Sequence, residues 1–358
     1  MQIFGKETNR KEICEKTGDI SQLSEVKYYE YIDGVSRGVR GIDIRNPEGV
    51  NLTILPDRGM DISSFSYKGI PFNWKSAVRE TSSVYYESRG AEWLRTFYGG
   101  FLTTCGLTTT GPANTDNGEE LGLHGRISNI SAEKVIVDGE WKDDTYIVKA
   151  RGKIREAKVF GDKLQLERKI YTWINKPKLV IEDTVENIGH AKSPLMILYH
   201  INIGYPVLDA DSEVIEDKAS IIPNDDTAKK EIGIFNKFSN PIKGFVERCY
   251  FHDIQADGEG YSNIALINSR FRGGQGIGLW IRFNKDNLPY LTQWKQMGMG
   301  EYVCGLEPCN NMGQGRKIER EKGRLRFIEP QEKIDYRLEF NILESNEAIL
   351  DFRKKFSK

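Results

Sequence analysis

Only four histidines occur in 358 residues, and two of them stand where a proton could be passed. His200 lies in a run in which Leu195, Ile197, Tyr199, Ile201 and Ile203 alternate with Met196, Leu198, His200 and Asn202. On a strand these are opposite faces, so His200 and Asn202 share one. Two polar side chains on an apolar strand must find partners. Those partners are either each other, in a satisfied core, or a ligand. His124 sits in Gly122-Leu123-His124-Gly125-Arg126, where the glycines allow close backbone approach and leave the imidazole open. Alone, that pattern reads as a loop histidine. Glu307 closes the apolar run Val303-Cys304-Gly305-Leu306, and Pro308 holds it extended. Such an acid is a candidate general base, or, taken alone, a solvated strand-end carboxylate. A carboxylate and an imidazole on opposite sides of one small molecule can exchange protons with it near neutral pH. His190, in a turn, and His252 read as structural.

These side chains need strands to hold them, and period-two alternation runs through the chain. Ile334, Tyr336, Leu338, Phe340 and Ile342 alternate with polar residues, as do Leu164, Leu166 and Ile170. Residues 131–187 read as an antiparallel meander with turns at Asp138-Gly139, Lys142-Asp143-Asp144, Gly161-Asp162 and Asn175-Lys176-Pro177. Further strands are expected over 195–203, 277–284, 290–297, 302–307 and 323–329. Helices are scarce; Asn346 to Phe356 is one candidate, with Asn346 as its cap. The fold expected is all-β and largely antiparallel, a large sandwich or barrel forming a single domain over 1–358. Gly273-Gly274-Gln275-Gly276-Ile277-Gly278 leads into a strand-like run instead of opening a helix, so it reads as a turn and not as a phosphate site.

The composition closes other routes. A net charge of −1 gives no global electrostatic case for nucleic acid. No stretch approaches the roughly 18 apolar residues of a membrane span, and the first residues lack the apolar core of a signal peptide. The five cysteines are scattered, with no C-x-x-C pair. Reduced thiols and a cytoplasmic location follow as expectations.

Three short segments in this order resemble the aldose 1-epimerase (galactose mutarotase-like) superfamily. They are Leu123-His124-Gly125, the stretch from Val185 through Asn187, Gly189 and Pro194 to His200, and Gly305-Leu306-Glu307. Leu55–Ile62, Gly99–Leu107 and His200–Pro206 bring the chain nearest to the branch known as domain of unknown function 4432. The resemblance spans roughly 20–345. It departs from the commoner pattern in the segment around His200 and in Arg126 following His-Gly. It also lacks a secure match for the carboxylate that grips sugar hydroxyls; Asp209 and Asp211 are only nearby.

The resemblance implies a galactose mutarotase-like β-supersandwich and an isomerase that interconverts sugar anomers by ring opening and closure. It implies Glu307 as base, His200 as acid and His124 as hydrogen-bond partner of the ring or anomeric oxygen. Arg58, Arg95, Arg126 and Asn202 are candidates to bind the sugar, with Trp294 or Trp93 over its apolar face. The three arginines would suit an anionic substituent. No cofactor or metal is expected. Two rivals use the same residues: a metal-assisted sugar isomerase and a sugar-binding protein without turnover. The expected partner is a small sugar, with neither nucleic acid nor membrane, in a monomer or homodimer.

Overall fold

Period-two alternation places one apolar face on each strand, and burying those faces against each other yields two antiparallel sheets around a shared core. The computed structural model describes residues 1–356. In chain order the principal strands begin with β1 (Glu25–Glu30), β2 (Arg40–Arg45), β3 (Val50–Leu55), β4 (Asp61–Tyr67) and β5 (Leu102–Leu107). The meander follows as β6 (Glu133–Lys142), β7 (Thr145–Ala157), β8 (Lys163–Trp173) and β9 (Lys178–Asn187). Then come β10 (Ser193–Ile203), β11 (Ser212–Glu216), β12 (Ala219–Pro223), β13 (Arg248–Ile254) and β14 (Tyr261–Asn268). The last are β15 (Ile277–Asn284), β16 (Tyr290–Gly298), β17 (Glu301–Cys309) and β18 (Lys333–Leu343).

One sheet runs β12-β13-β16-β17-β10-β5-β4-β3-β2-β1, and the other runs β6-β7-β8-β9-β18-β15-β14-β11. In β10, Leu195, Ile197, Tyr199, Ile201 and Ile203 enter the core between the sheets. His200 and Asn202 therefore lie on the outer face of the first sheet.

A buried ionic network ties the sheets together beneath that face. Arg168 on β8 donates from Nη1 to Asp61 Oδ1 on β4 (2.8 Å) and from Nη2 to Asp183 Oδ2 on β9 (2.6 Å), all with fully buried side chains. Tyr199 on β10 donates its hydroxyl to Asp183 (2.8 Å), and Thr104 on β5 donates to Asp61 through backbone N–H (2.9 Å) and Oγ1 (2.6 Å). Burial raises Asp61 to about 6 even though Arg168 pulls the other way. Removing one partner of such a set leaves an uncompensated buried charge.

The expected strands appear, with local differences. Asp138-Gly139 is not a turn but lies inside β6; a side chain at Gly139 would collide with the Tyr146 hydroxyl, so glycine lets that ring cross the strand. The segment 323–329 is reduced to Arg326–Ile328, because a short helix, Arg316–Glu321, occupies the chain before it. The final helix spans Asn346–Phe356, but Ser345 Oγ accepts from the Ala348 N–H, while Asn346 donates to the carbonyls of Ser269 and Gly274. Among the described residues, no helix is long and apolar enough to cross a membrane.

Candidate functional site

The outer face of four adjacent strands builds the site. Thr103 on β5 pairs in register with His200, Asn202 on β10 pairs with Gly305, and Glu307 on β17 pairs with Thr292 on β16. The period of two then brings His200, Asn202, Glu307 and Trp294 to one surface. His200 Nε2 and Glu307 Oε1 are 3.3 Å apart. Gly305 makes room for this approach, since a Cβ there would strike Glu307 Oε1 and lie 3.1 Å from Trp294 Cβ.

His124 reaches the same place from a loop. Its backbone is left-handed (φ 58°), a conformation rare outside glycine and enriched for histidine, asparagine and aspartate. Hydrogen bonds clamp it there: His124 N–H to the Gly111 carbonyl (2.9 Å), and Gly106 N–H to the His124 carbonyl (3.0 Å). Gly125 follows with φ 75°, and a side chain on it would meet the Thr109 carbonyl oxygen at 2.7 Å. The Gly111 N–H approaches His124 Nδ1 (3.4 Å), which makes Nδ1 an acceptor and turns an Nε2–H outward in the neutral ring. The His124 and His200 ring centroids are 5.7 Å apart.

Aromatic rings wall the cluster. Phe97 and Trp294 lie 5.2 and 5.3 Å from His200, and Trp93 lies 4.8 Å from His124. Trp74 meets Trp294 edge-on at 6.2 Å, above Gly99, where any side chain would overlap the Trp74 ring. Glu247 accepts from Trp294 Nε1 (2.7 Å) and fixes that indole. Trp74, Phe97 and Glu247 escaped the sequence reading. The Gly99-Gly100 pair was their one visible trace, because paired glycines mark a close approach.

Dryness sets the protonation states. Burial pushes the Glu307 carboxyl well above its ordinary range, and the charge of Glu247 adds to the effect. Burial, then the neighbouring His124, push His200 well below the usual histidine value, and burial alone lowers His124 to about 4. The stable resting pair is therefore a protonated carboxyl beside a neutral imidazole. Glu307 Oε1, His200 Nδ1 and Asn202 Oδ1 are buried and have no hydrogen-bond partner. Native interiors seldom leave such groups unpaired, so their clustering marks a place for a polar occupant. Among the described residues, no group of three His, Cys, Asp or Glu side chains is arranged as a metal cage.

The arginines named from sequence do not join the cluster. Arg58 is buried and spends its donors on the carbonyls of Ser128 (2.8 Å), Thr81 (2.5 Å) and Thr96 (2.9 Å); it is a brace, not a sugar ligand. Arg95 faces solvent and pairs with Glu92 one turn away. Arg126, two residues beyond His124, projects into a separate groove. Asn202 is on the site face, but its Nδ2 is taken by the carbonyls of His200 (3.0 Å) and Gly99 (3.3 Å), leaving only Oδ1 free. Of the two carboxylates near the second histidine segment, Asp211 pairs with Arg270 (3.1 Å) and Asp209 caps its own turn through Ala210 (2.8 Å). His252 is held between Glu216 (2.7 Å) and Gln293 (3.1 Å), in keeping with a structural role.

Residues 36–342 match the family model described as Domain of unknown function (DUF4432). The fold is that of the galactose mutarotase-like proteins. A provisionally named aldose 1-epimerase from Klebsiella pneumoniae superposes with a TM-score of 0.88 at 23% identity, covering 98% of this chain and 90% of that one. A galactose mutarotase-like protein from Clostridium acetobutylicum gives 0.59 at 14% identity over 90% of this chain and 99% of its own. Galactose 1-epimerase from Lactobacillus acidophilus gives 0.59 at 10% identity over 90% and 100%. No curated protein matches the chain in sequence.

Proposed function

For a chain that belongs to the DUF4432 family, whose description names no activity, we propose a reaction read from its own site: interconversion of the anomers of a free sugar by acid–base ring opening and closure. The observation that carries this reading is the 3.3 Å approach of Glu307 to His200 with unpaired polar atoms left on both. The names of the structural neighbours, aldose 1-epimerase and galactose 1-epimerase, agree with it.

Anomerisation needs one proton off the anomeric hydroxyl and one onto the ring oxygen. With the pair as carboxylate and imidazolium, Glu307 takes the hydroxyl proton as base while His200 gives its proton to the ring oxygen as acid. The C1–ring oxygen bond breaks, C1 becomes the aldehyde, and the pair is left as carboxyl and neutral imidazole. That product state is the one burial favours and is also the resting state, so Glu307 first passes its proton to His200 and what that transfer costs is returned as the ring opens. Rotation about C1–C2 and reversal of both transfers close the ring on the other face, with no net change in protons. Each transfer contributes about 10²–10⁴-fold. His124 donates from Nε2–H to a sugar oxygen, and Trp294 covers an apolar face of the ring.

The test is exchange between α and β anomers, read by NMR saturation transfer across a panel of aldoses, ketoses and uronic acids. Glu307→Gln and His200→Asn should each remove the enzyme-dependent rate while the melting curves remain cooperative. Full exchange in both variants refutes the assignment. Loss of exchange on chelation, with a stoichiometric divalent ion recovered, would transfer the same residues to a metal-assisted isomerase.

A further inference from the structure

A groove of about 1080 Å³ lies on the far side of the 122–126 loop from the His200–Glu307 pair. The loop serves both places. His124 turns its ring to the cluster, while Gly122, Gly125 and Arg126 form a wall of the groove. We propose that this groove is a second carbohydrate site, built for a neutral oligosaccharide of about two or three rings.

Charge comes first. Arg126 and Lys163 face Glu120 and Asp162 along the groove, and none of the four forms an ion pair among the described residues. Lys158 pairs with Glu119 (3.4 Å) and burial pushes the Glu156 carboxyl up, so the lining charges nearly balance and no strong field selects an anion or a cation. What remains is a line of separate donors and acceptors, as the hydroxyls of a sugar require. The floor adds a hydroxyl in want of a partner: Thr109 lines the groove, is 3% exposed, and its Oγ1 makes no hydrogen bond. Beside it, the Glu156 carboxyl is preset by the Leu107 N–H (2.8 Å) and Thr108 Oγ1 (3.0 Å), and the Arg126 charge acts upon it. At the rim stands Phe160, a wholly exposed aromatic ring in the β7–β8 turn. An aromatic face beside paired polar groups suits the apolar face of a pyranose. The volume exceeds what one sugar ring fills and matches the upper end of pockets for larger ligands, about 300–1,000 Å³.

Maltotriose is the neutral probe, titrated by calorimetry into the full chain and three variants, each checked for an unchanged melting curve. The wild type should bind one equivalent. Arg126→Ala, which removes charged donors, should weaken binding about tenfold. Phe160→Ala, at a wholly exposed position, should weaken it by a similar factor and tests the groove if the first variant is unstable. Glu307→Gln should bind as the wild type does. Anomer exchange is followed separately and should be unchanged in both groove variants, so a failure of the catalytic reading is recognised independently. Absence of maltotriose binding overturns the proposal. Binding lost in Glu307→Gln and kept in both groove variants also overturns it, since the sugar would then occupy the His200–Glu307 cluster.

Discussion

His200 Nε2 faces Glu307 Oε1 at 3.3 Å across adjacent strands, and burial moves the two groups' proton affinities in opposite directions: carboxyl up, imidazole down. Between them they keep one proton over the middle of the pH range. The proposed chemistry needs that proton, whichever partner holds it.

Activity should therefore follow a bell. On the acid side the imidazole gains a proton while the carboxyl still holds its own, at a pH below the ordinary histidine value of 6.5. On the alkaline side the pair loses its one proton, above the ordinary glutamate value of 4.5. The two limbs belong to the pair and not to either residue. The measurement is kcat/KM for anomer exchange against pH. Activity that rises steadily through both ranges would contradict the one-proton state.

Glu307 should also cost the fold stability as pH rises. Its pKa is raised in the folded state, so the folded chain holds the proton more tightly than the unfolded one. Stability from this group is fully present below about 4.5 and is lost as pH climbs toward the folded value. Glu307→Gln lacks the titration. Its melting temperature should match the wild type in acid and exceed it increasingly toward neutral and alkaline pH, as thermal melts over a pH series would reveal.

Gly305→Ala should damage the site without touching its titrating groups. The new methyl would clash with Glu307 Oε1 and press on Trp294 Cβ at 3.1 Å, so the carboxylate must move. A displacement near 1 Å typically costs about 10²-fold in rate. The expected result is a kcat lower by that order with the overall fold intact by circular dichroism. An unchanged kcat would mean that Glu307 has room to spare.

Arg168→Met should act on the whole molecule. It strands Asp61 and Asp183, both fully buried, without their cation. The loss should be about 3–5 kcal/mol, measured by urea unfolding. Because Arg168 joins strands of both sheets, we expect one unfolding transition in wild type and variant alike, with limited proteolysis yielding no pair of stable halves.

The strands were legible because burying one face of a strand forces alternation: every second residue from Leu195 to Ile203 enters the core between the sheets, although Met196 and Leu198 make part of the other face apolar as well. The same alternation put His200 and Asn202 on a shared face. Glu307 was legible through Pro308 and the apolar residues before it. The aromatic wall was not, since Trp74 and Phe97 come from short irregular segments with no period, and their role depends on the close approach at Gly99. The arginines misled for a physical reason. A guanidinium near a motif has five donors to spend, and Arg58 spends them on three backbone carbonyls of loops distant in sequence, a use that no local pattern announces.

Three of the chain's six tryptophans, Trp74, Trp93 and Trp294, surround the two histidines of the site. Indole emission responds to the polarity and quenching groups around it, and imidazole sits against two of these rings. The site thus carries its own light source. A sugar that displaces solvent from Trp294, or a proton that settles on His200, should alter the colour or intensity of the protein's ultraviolet glow. Candidate ligands can then be ranked by eye of a fluorimeter before any product is assayed, with no dye, tag or coupled enzyme.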